Sequence, residues 1–117
     1  MYIASTLGNL AHNYSYMKQY NKAEGFYLQA LSIYRQFSQA AYSVDKANTL
    51  YNLVNNYASM KNYNKAKDYY LHALSIYKRI AKGAISVEIV QTLNNLAGTY
   101  RDMKQYYKAE NYYLQTL

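Results

Sequence analysis

Apolar residues recur at helical rather than strand spacing. Leu7, Leu10, Ala11 and Tyr14 fall at i, i+3, i+4 and i+7, one stripe of an amphipathic helix. A second stripe, Ala23, Tyr27, Ala30, Leu31 and Tyr34, follows the polar stretch Met17 to Asn21. Both stripes then return. Thr6-Leu7-Gly8-Asn9-Leu10-Ala11 reappears as Thr49-Leu50-Tyr51-Asn52-Leu53-Val54 and as Thr92-Leu93-Asn94-Asn95-Leu96-Ala97, each time at an offset of 43 residues. Tyr27-Leu28-Gln29-Ala30-Leu31 likewise answers to Tyr70-Leu71-His72-Ala73-Leu74 and Tyr113-Leu114-Gln115-Thr116-Leu117. The chain therefore reads as a single array over 1–117, with units at approximately 4–46, 47–89 and 90–117.

Each unit predicts two helices, over about 3–17, 21–39, 44–60, 64–82, 87–103 and 107–117. Asn21 and Asn64 are expected to cap the second helices, and Tyr107 in the third unit makes a poorer cap. Ser43 and Ser86 are expected caps for the following first helices, with Asp45 and Glu88 where the helix dipole favours an anion. Gly83 suits a left-handed helix stop. One such pair cannot bury its apolar stripe alone, whereas stacked pairs share a continuous core and curve around a concave side. Ala23, Ala30, Ala66 and Ala73 leave room for close helix approach. The expected fold is all-α, a solenoid of three helix-turn-helix hairpins with the last truncated at Leu117 and its apolar end uncapped.

Leu7, Leu10, Ala11, Tyr14, Ala23, Tyr27 and Ala30 resemble the tetratricopeptide repeat pattern at each diagnostic spacing. The second unit matches with Leu50, Leu53, Val54, Tyr57, Ala66, Tyr70 and Ala73; the third with Leu93, Leu96, Ala97, Tyr100, Ala109 and Tyr113. The period of 43 exceeds the family's usual one, no Pro closes the second helices, and Val54 stands where a small residue is usual. The longer unit is most similar to the repeats of kinesin light chains.

Composition narrows the chemistry. There is no Cys among the 117 residues, which removes disulfides, thiolate metal sites and cysteine catalysis. His12 and His72 occupy different repeat positions without ligand-spaced carboxylates, so no metal is expected. No phosphate loop or serine-nucleophile elbow is present; neither enzyme activity nor a cofactor is expected. Every apolar run is too short for a membrane span, the first residues lack a secretory signal, and the cytosol is the expected compartment. The net charge of +7 brings anionic partners into view. Yet Lys18, Lys61, Lys104, Lys22, Lys65 and Lys108 are repeat-placed at the turns, as expected of a solvated rim, which disfavours nucleic acid. Most of the 18 tyrosines are also repeat-locked on the core stripe; Tyr16 and Tyr51 are exceptions.

The candidate site lies on the first-helix face opposite that stripe. At 100° per residue it carries Asn9, His12 and Tyr16 in the first unit. Asn48, Tyr51, Asn52 and Asn55 follow in the second, and Gln91, Asn95 and Arg101 in the third. Asparagine is a mediocre helix former, so its return as Asn9, Asn52 and Asn95 calls for a cause. A carboxamide both donates and accepts, complementing a peptide group. The resemblance implies a non-catalytic scaffold whose groove asparagines grip the backbone of a partner's peptide segment. Similarity to kinesin light chains implies an acidic segment with an aromatic anchor, selected by Tyr51, Tyr16, His12 and Arg101. The alternatives are a homo-oligomer formed through the uncapped ends and an RNA-binding helical array.

Overall fold

The computed structural model describes residues 2–36 and 43–117. Six α-helices make up the described residues: α1 (Tyr2–Tyr16), α2 (Tyr20–Gln36), α3 (Ser43–Ser59), α4 (Tyr63–Ala81), α5 (Val87–Asp102) and α6 (Tyr106–Leu114). They pair as three hairpins, α1 with α2, α3 with α4 and α5 with α6, which stack through α2 on α3 and α4 on α5. The array measures 40 × 34 × 18 Å, its thin dimension matching two layers of helices. α1 also reaches α3 directly, past α2. This is the predicted all-α solenoid. Its last helix spans only 9 residues.

The short turns explain where prediction and structure differ. Lys18, Lys61 and Lys104 adopt left-handed backbone, with φ of 61°, 60° and 63°. At each, the next amide bonds back across the helix end: Gln19 N to Tyr14 O (2.9 Å), Asn62 N to Tyr57 O (2.9 Å), Gln105 N to Tyr100 O (2.8 Å). That is the Schellman closure, which reverses the chain within three residues. The following helix therefore starts one residue earlier than predicted. Asn62, and not Asn64, caps α4 by accepting from Lys65 N at 3.5 Å. Asn21 and Asn64 sit inside α2 and α4 instead. Gln105 holds the corresponding place before α6 and makes no side-chain cap. Ser86 caps α5 as expected, accepting from Ile89 N at 3.2 Å. The cap expected of the Ser43 side chain, like the predicted helix end over 37–39, lies outside the described residues. At the end of α4 the left-handed cap is Lys82, followed by Gly83, also at positive φ.

Core packing follows the repeat. Ala11, Val54, Ala97, Ala23, Ala66, Ala30 and Ala73 are all fully buried where paired helices approach. An aromatic stack locks each hairpin at the same place: Tyr14 on Phe26 (5.5 Å), Tyr57 on Tyr69 (5.6 Å) and Tyr100 on Tyr112 (5.4 Å). Lys22, Lys65 and Lys108 cover the first-helix ring of each stack, 5.4–5.6 Å from its centroid, so these rim lysines also pack as cation–π partners. Between hairpins, Asn56 Nδ2 donates to Tyr20 O (3.0 Å) and Tyr57 Oη to Glu24 Oε2 (2.6 Å). Equal sequence positions do not receive equal burial. Leu53 and Leu96 are 0 % exposed beneath a preceding hairpin, whereas Leu10 is 37 % exposed because no described hairpin lies against that side of α1. Tyr113 is correspondingly 36 % exposed, against 1 % for Tyr27 and 3 % for Tyr70.

Candidate functional site

The first helices α1, α3 and α5 carry Asn9, Asn52 and Asn95 at equivalent positions. What organises the row comes from the second helices. The Tyr70 ring is buried in the core, yet its hydroxyl emerges between α3 and α4 and donates to Asn55 Oδ1 at 3.0 Å. One unit earlier the matching pair is Tyr27 Oη and His12 Nδ1, at 3.4 Å. In the third unit the residue facing Tyr113 is Gly98, and the hydroxyl instead meets Arg101 Nη1 at 3.4 Å. Two turns along α4 from Tyr70, Tyr77 Oη donates to Asn48 Oδ1 at 2.7 Å. Burial pushes the Tyr27 and Tyr77 phenols up to about 12, and that of Tyr70 further in the same direction. These hydroxyls thus stay protonated donors across the physiological range.

The consequence is directional. With one lone pair of each Oδ1 taken by a phenol, the exposed Asn48 and Asn55 keep their Nδ2 donors without a partner among the described residues. Asn48 and Asn55 are exposed on α3, and Arg101 is exposed near the end of α5.

The repeated asparagines, by contrast, occupy three different environments. Asn95 Nδ2 donates to Tyr51 Oη of the preceding unit, tying α5 to α3. Asn95 is thus held between units by the very inter-repeat hydrogen bonding that competes with a binding role. In the preceding register step the tyrosine's place is taken by Gly8, where an added Cβ would meet nothing within 4 Å. Asn52, half-buried beside that space, has no side-chain partner among the described residues. Asn9 and Gln91 are exposed. Tyr16 is exposed and meets His12 edge-on at 4.9 Å. Tyr51 is half-buried and leans on Tyr70 at 6.2 Å, so it is partly a core residue.

The structure brings Asn48, Tyr51, Asn52, Asn55 and Asn95 together around α3 and places Asn9, His12 and Tyr16 on α1, Gln91 and Arg101 on α5. Sequence reasoning assigned Tyr27, Tyr70, Tyr77 and Tyr113 to the core and missed their hydroxyls. The available signal was that tyrosine, and not phenylalanine, recurs at these positions, since a buried phenol requires a partner. A cleft of about 360 Å³ lies elsewhere, on the turn edge, lined by Lys18, Gln19, Tyr20, Asn21, Lys22 and Met60. Among the described residues no three His, Asp or Glu side chains converge, and no helix is long and apolar enough to cross a membrane.

Comparison with known proteins places this geometry in context. Family models described as tetratricopeptide repeat match residues 2–79 and 89–117. No curated protein matches significantly. The apo form of RapI superimposes with a TM-score of 0.88 at 23 % identity, over 99 % of this chain and 40 % of that one. Aspartyl phosphate phosphatase F from Bacillus subtilis gives 0.81 at 23 %, over 97 % and 28 %. The nearly identical TPR-like repeats of a Podosopora anserina kinesin light chain give 0.77 at 17 %, over 96 % and 52 %. The chain thus spans between about a quarter and a half of the solved structures it resembles. At these identities the likeness concerns the fold.

Proposed function

The chain belongs to the tetratricopeptide repeat family, and from that premise we propose that its inner face binds a short extended peptide segment of a protein partner. As a helical-repeat scaffold it offers shape and hydrogen bonds, and its role in this reading is non-catalytic and cytosolic. The observation that carries the proposal is the pairing of Tyr70 with Asn55 and Tyr77 with Asn48, which holds both carboxamides by Oδ1 and leaves their Nδ2 donors without a partner among the described residues. Donors aligned along a groove complement peptide carbonyls and carboxylates. Asn52, unpartnered beside the open space at Gly8, supplies both a donor and an acceptor for a peptide unit passing over α1 and α3. Arg101 favours an acidic residue, and the edge-on pair of His12 and Tyr16 offers an aromatic perch.

The test is a peptide-array selection followed by fluorescence polarisation on the best binder. Replacing Asn52 and Asn55 together by Ala is expected to weaken binding at least tenfold, about 1.4 kcal/mol or one net hydrogen bond, with the helical circular dichroism unchanged. Unaltered affinity removes the carboxamides from the site. A second reading, homo-oligomerisation through the ends, is favoured by the exposure of Ile3 and Leu10 at one end and Tyr106 and Tyr113 at the other. Light scattering over a concentration series separates the two, since only self-association raises the mass.

A further inference from the structure

Lys46 breaks the repeat. The other two units place isoleucine there, as Ile3 and Ile89, and Ile89 is buried against the preceding hairpin. Lys46 is half-buried on the first turn of α3, close to the positive end of the helix dipole. Nine residues separate it from Asn55, so the two leave opposite sides of α3, and Lys46 faces away from the carboxamide row. Three further basic groups lie on the two helices packed against α3. Arg35 lies in the last turn of α2 and Arg79 in the last turn of α4, with the half-buried His72 two turns earlier on the same helix face. Burial first, and then the Arg35 and Arg79 guanidiniums, hold the Lys46 ammonium below its ordinary value. Burial likewise lowers His72, joined by Lys46, Arg35 and Arg79.

No carboxylate offsets this cluster. The ion pairs among the described residues, Lys65–Glu24, Lys67–Asp68 and Arg101–Asp102, all lie elsewhere. Residues 37–42, which join α2 to α3, include no Asp or Glu. Asp45 adjoins Lys46 in the chain but is exposed and forms no ion pair with any of the four, and Glu88 acts on Tyr77. A half-buried cation beside two guanidiniums and an imidazole is costly unless an anion joins them. Isoleucine would relieve that cost, so the lysine is a local inconsistency of the kind that marks a site.

We propose that Arg35, Lys46, His72 and Arg79 form a phosphate-group site on the outer side of the array, between the first and second hairpins. A phosphate dianion matches the excess of positive charge better than one carboxylate, and guanidinium forks fit its oxygens pairwise. The imidazole supplies a further N–H. This site is independent of the peptide groove.

Thermal unfolding of the whole chain in inorganic phosphate, against chloride at equal ionic strength, reads it directly. A tenfold excess over a dissociation constant on the order of 1 mM is expected to raise the Tm by about 6 °C. Lys46→Ile, which restores the residue of the other units, is expected to have a higher Tm without phosphate and no response to it. Arg79→Gln, at an exposed position, is expected to weaken phosphate binding about tenfold, and it serves should the first variant misfold. Phosphate is also expected to raise the His72 pKa in an NMR titration, which a general salt effect would not do selectively. A phosphoserine pentapeptide and its unphosphorylated form distinguish the sources. A shift with inorganic phosphate supports a site for the free ion, and one with the phosphopeptide alone supports a phosphate carried by protein. If neither exceeds chloride, or if Lys46→Ile keeps the full response, the proposal is overturned.

Discussion

Replacing Tyr70 by Phe isolates one oxygen atom at the join between core and groove. The ring is 3 % exposed and its packing on Tyr51 is preserved by phenylalanine, so no cavity opens. What disappears is the 3.0 Å bond to Asn55 Oδ1, a side chain that is itself exposed and can turn to water. The net loss in stability is therefore about 1 kcal/mol, without the larger penalty of a stranded buried acceptor. For a domain of this size that lowers the Tm by about 4 °C. The effect on peptide binding comes by another route. Released from the phenol, the Asn55 carboxamide must be ordered when the peptide arrives, at about 0.5–1.5 kcal/mol, or roughly two- to tenfold in affinity. The assay is a double-mutant cycle of Tyr70→Phe and Asn55→Ala, read by fluorescence polarisation and by thermal unfolding. Once Asn55 is gone, removing the hydroxyl should change affinity no further. Equal losses in both backgrounds, or a Tyr70→Phe protein that is less stable but binds as before, would refute the idea that the phenols aim the carboxamides.

Lys61→Gly removes a Cβ from a left-handed residue at φ 60° and is expected to stabilise by about 0.5–1 kcal/mol, raising the Tm by a few degrees; a fall would show the lysine side chain to be holding the turn. Alkaline titration should reveal the buried phenols. Tyr27 and Tyr77 titrate near 12 when folded and near 10 when unfolded, so their contribution is complete below pH 10 and is lost as the pH rises towards 12. Circular dichroism from pH 8 to 12.5 checks this, and stability unchanged across that window would contradict the burial of these hydroxyls.

The turns show how local and tertiary information divide. Sequence spacing located every helix to within a residue or so where the structure describes both ends, except that α6 stops at Leu114. It misplaced the second-helix caps, because a Schellman closure at Lys61 makes Asn62 both the end of one helix and the start of the next. Nothing in the asparagine count separates Asn62 from Asn64. The candidate surface divides in the same way. Its face was legible from the stripe of Leu7, Leu10, Ala11 and Tyr14, since residues opposite an apolar stripe must face away from the core.

The forty-three-residue echo and its helical period were enough to specify six helices, their pairing and the surface each turns inward, because periodicity and burial are properties of residue order. The stack alone decided that Asn95 bonds to Tyr51 while Asn52 stays open beside Gly8, and that phenols from α4 orient Asn48 and Asn55. It also packed α2 and α4, which carry Arg35, His72 and Arg79, against α3, which carries Lys46. Those relations join side chains from different helices, and in some cases different hairpins. Each depends on how one helix sits against the next, which a local repeat leaves free until the units pack.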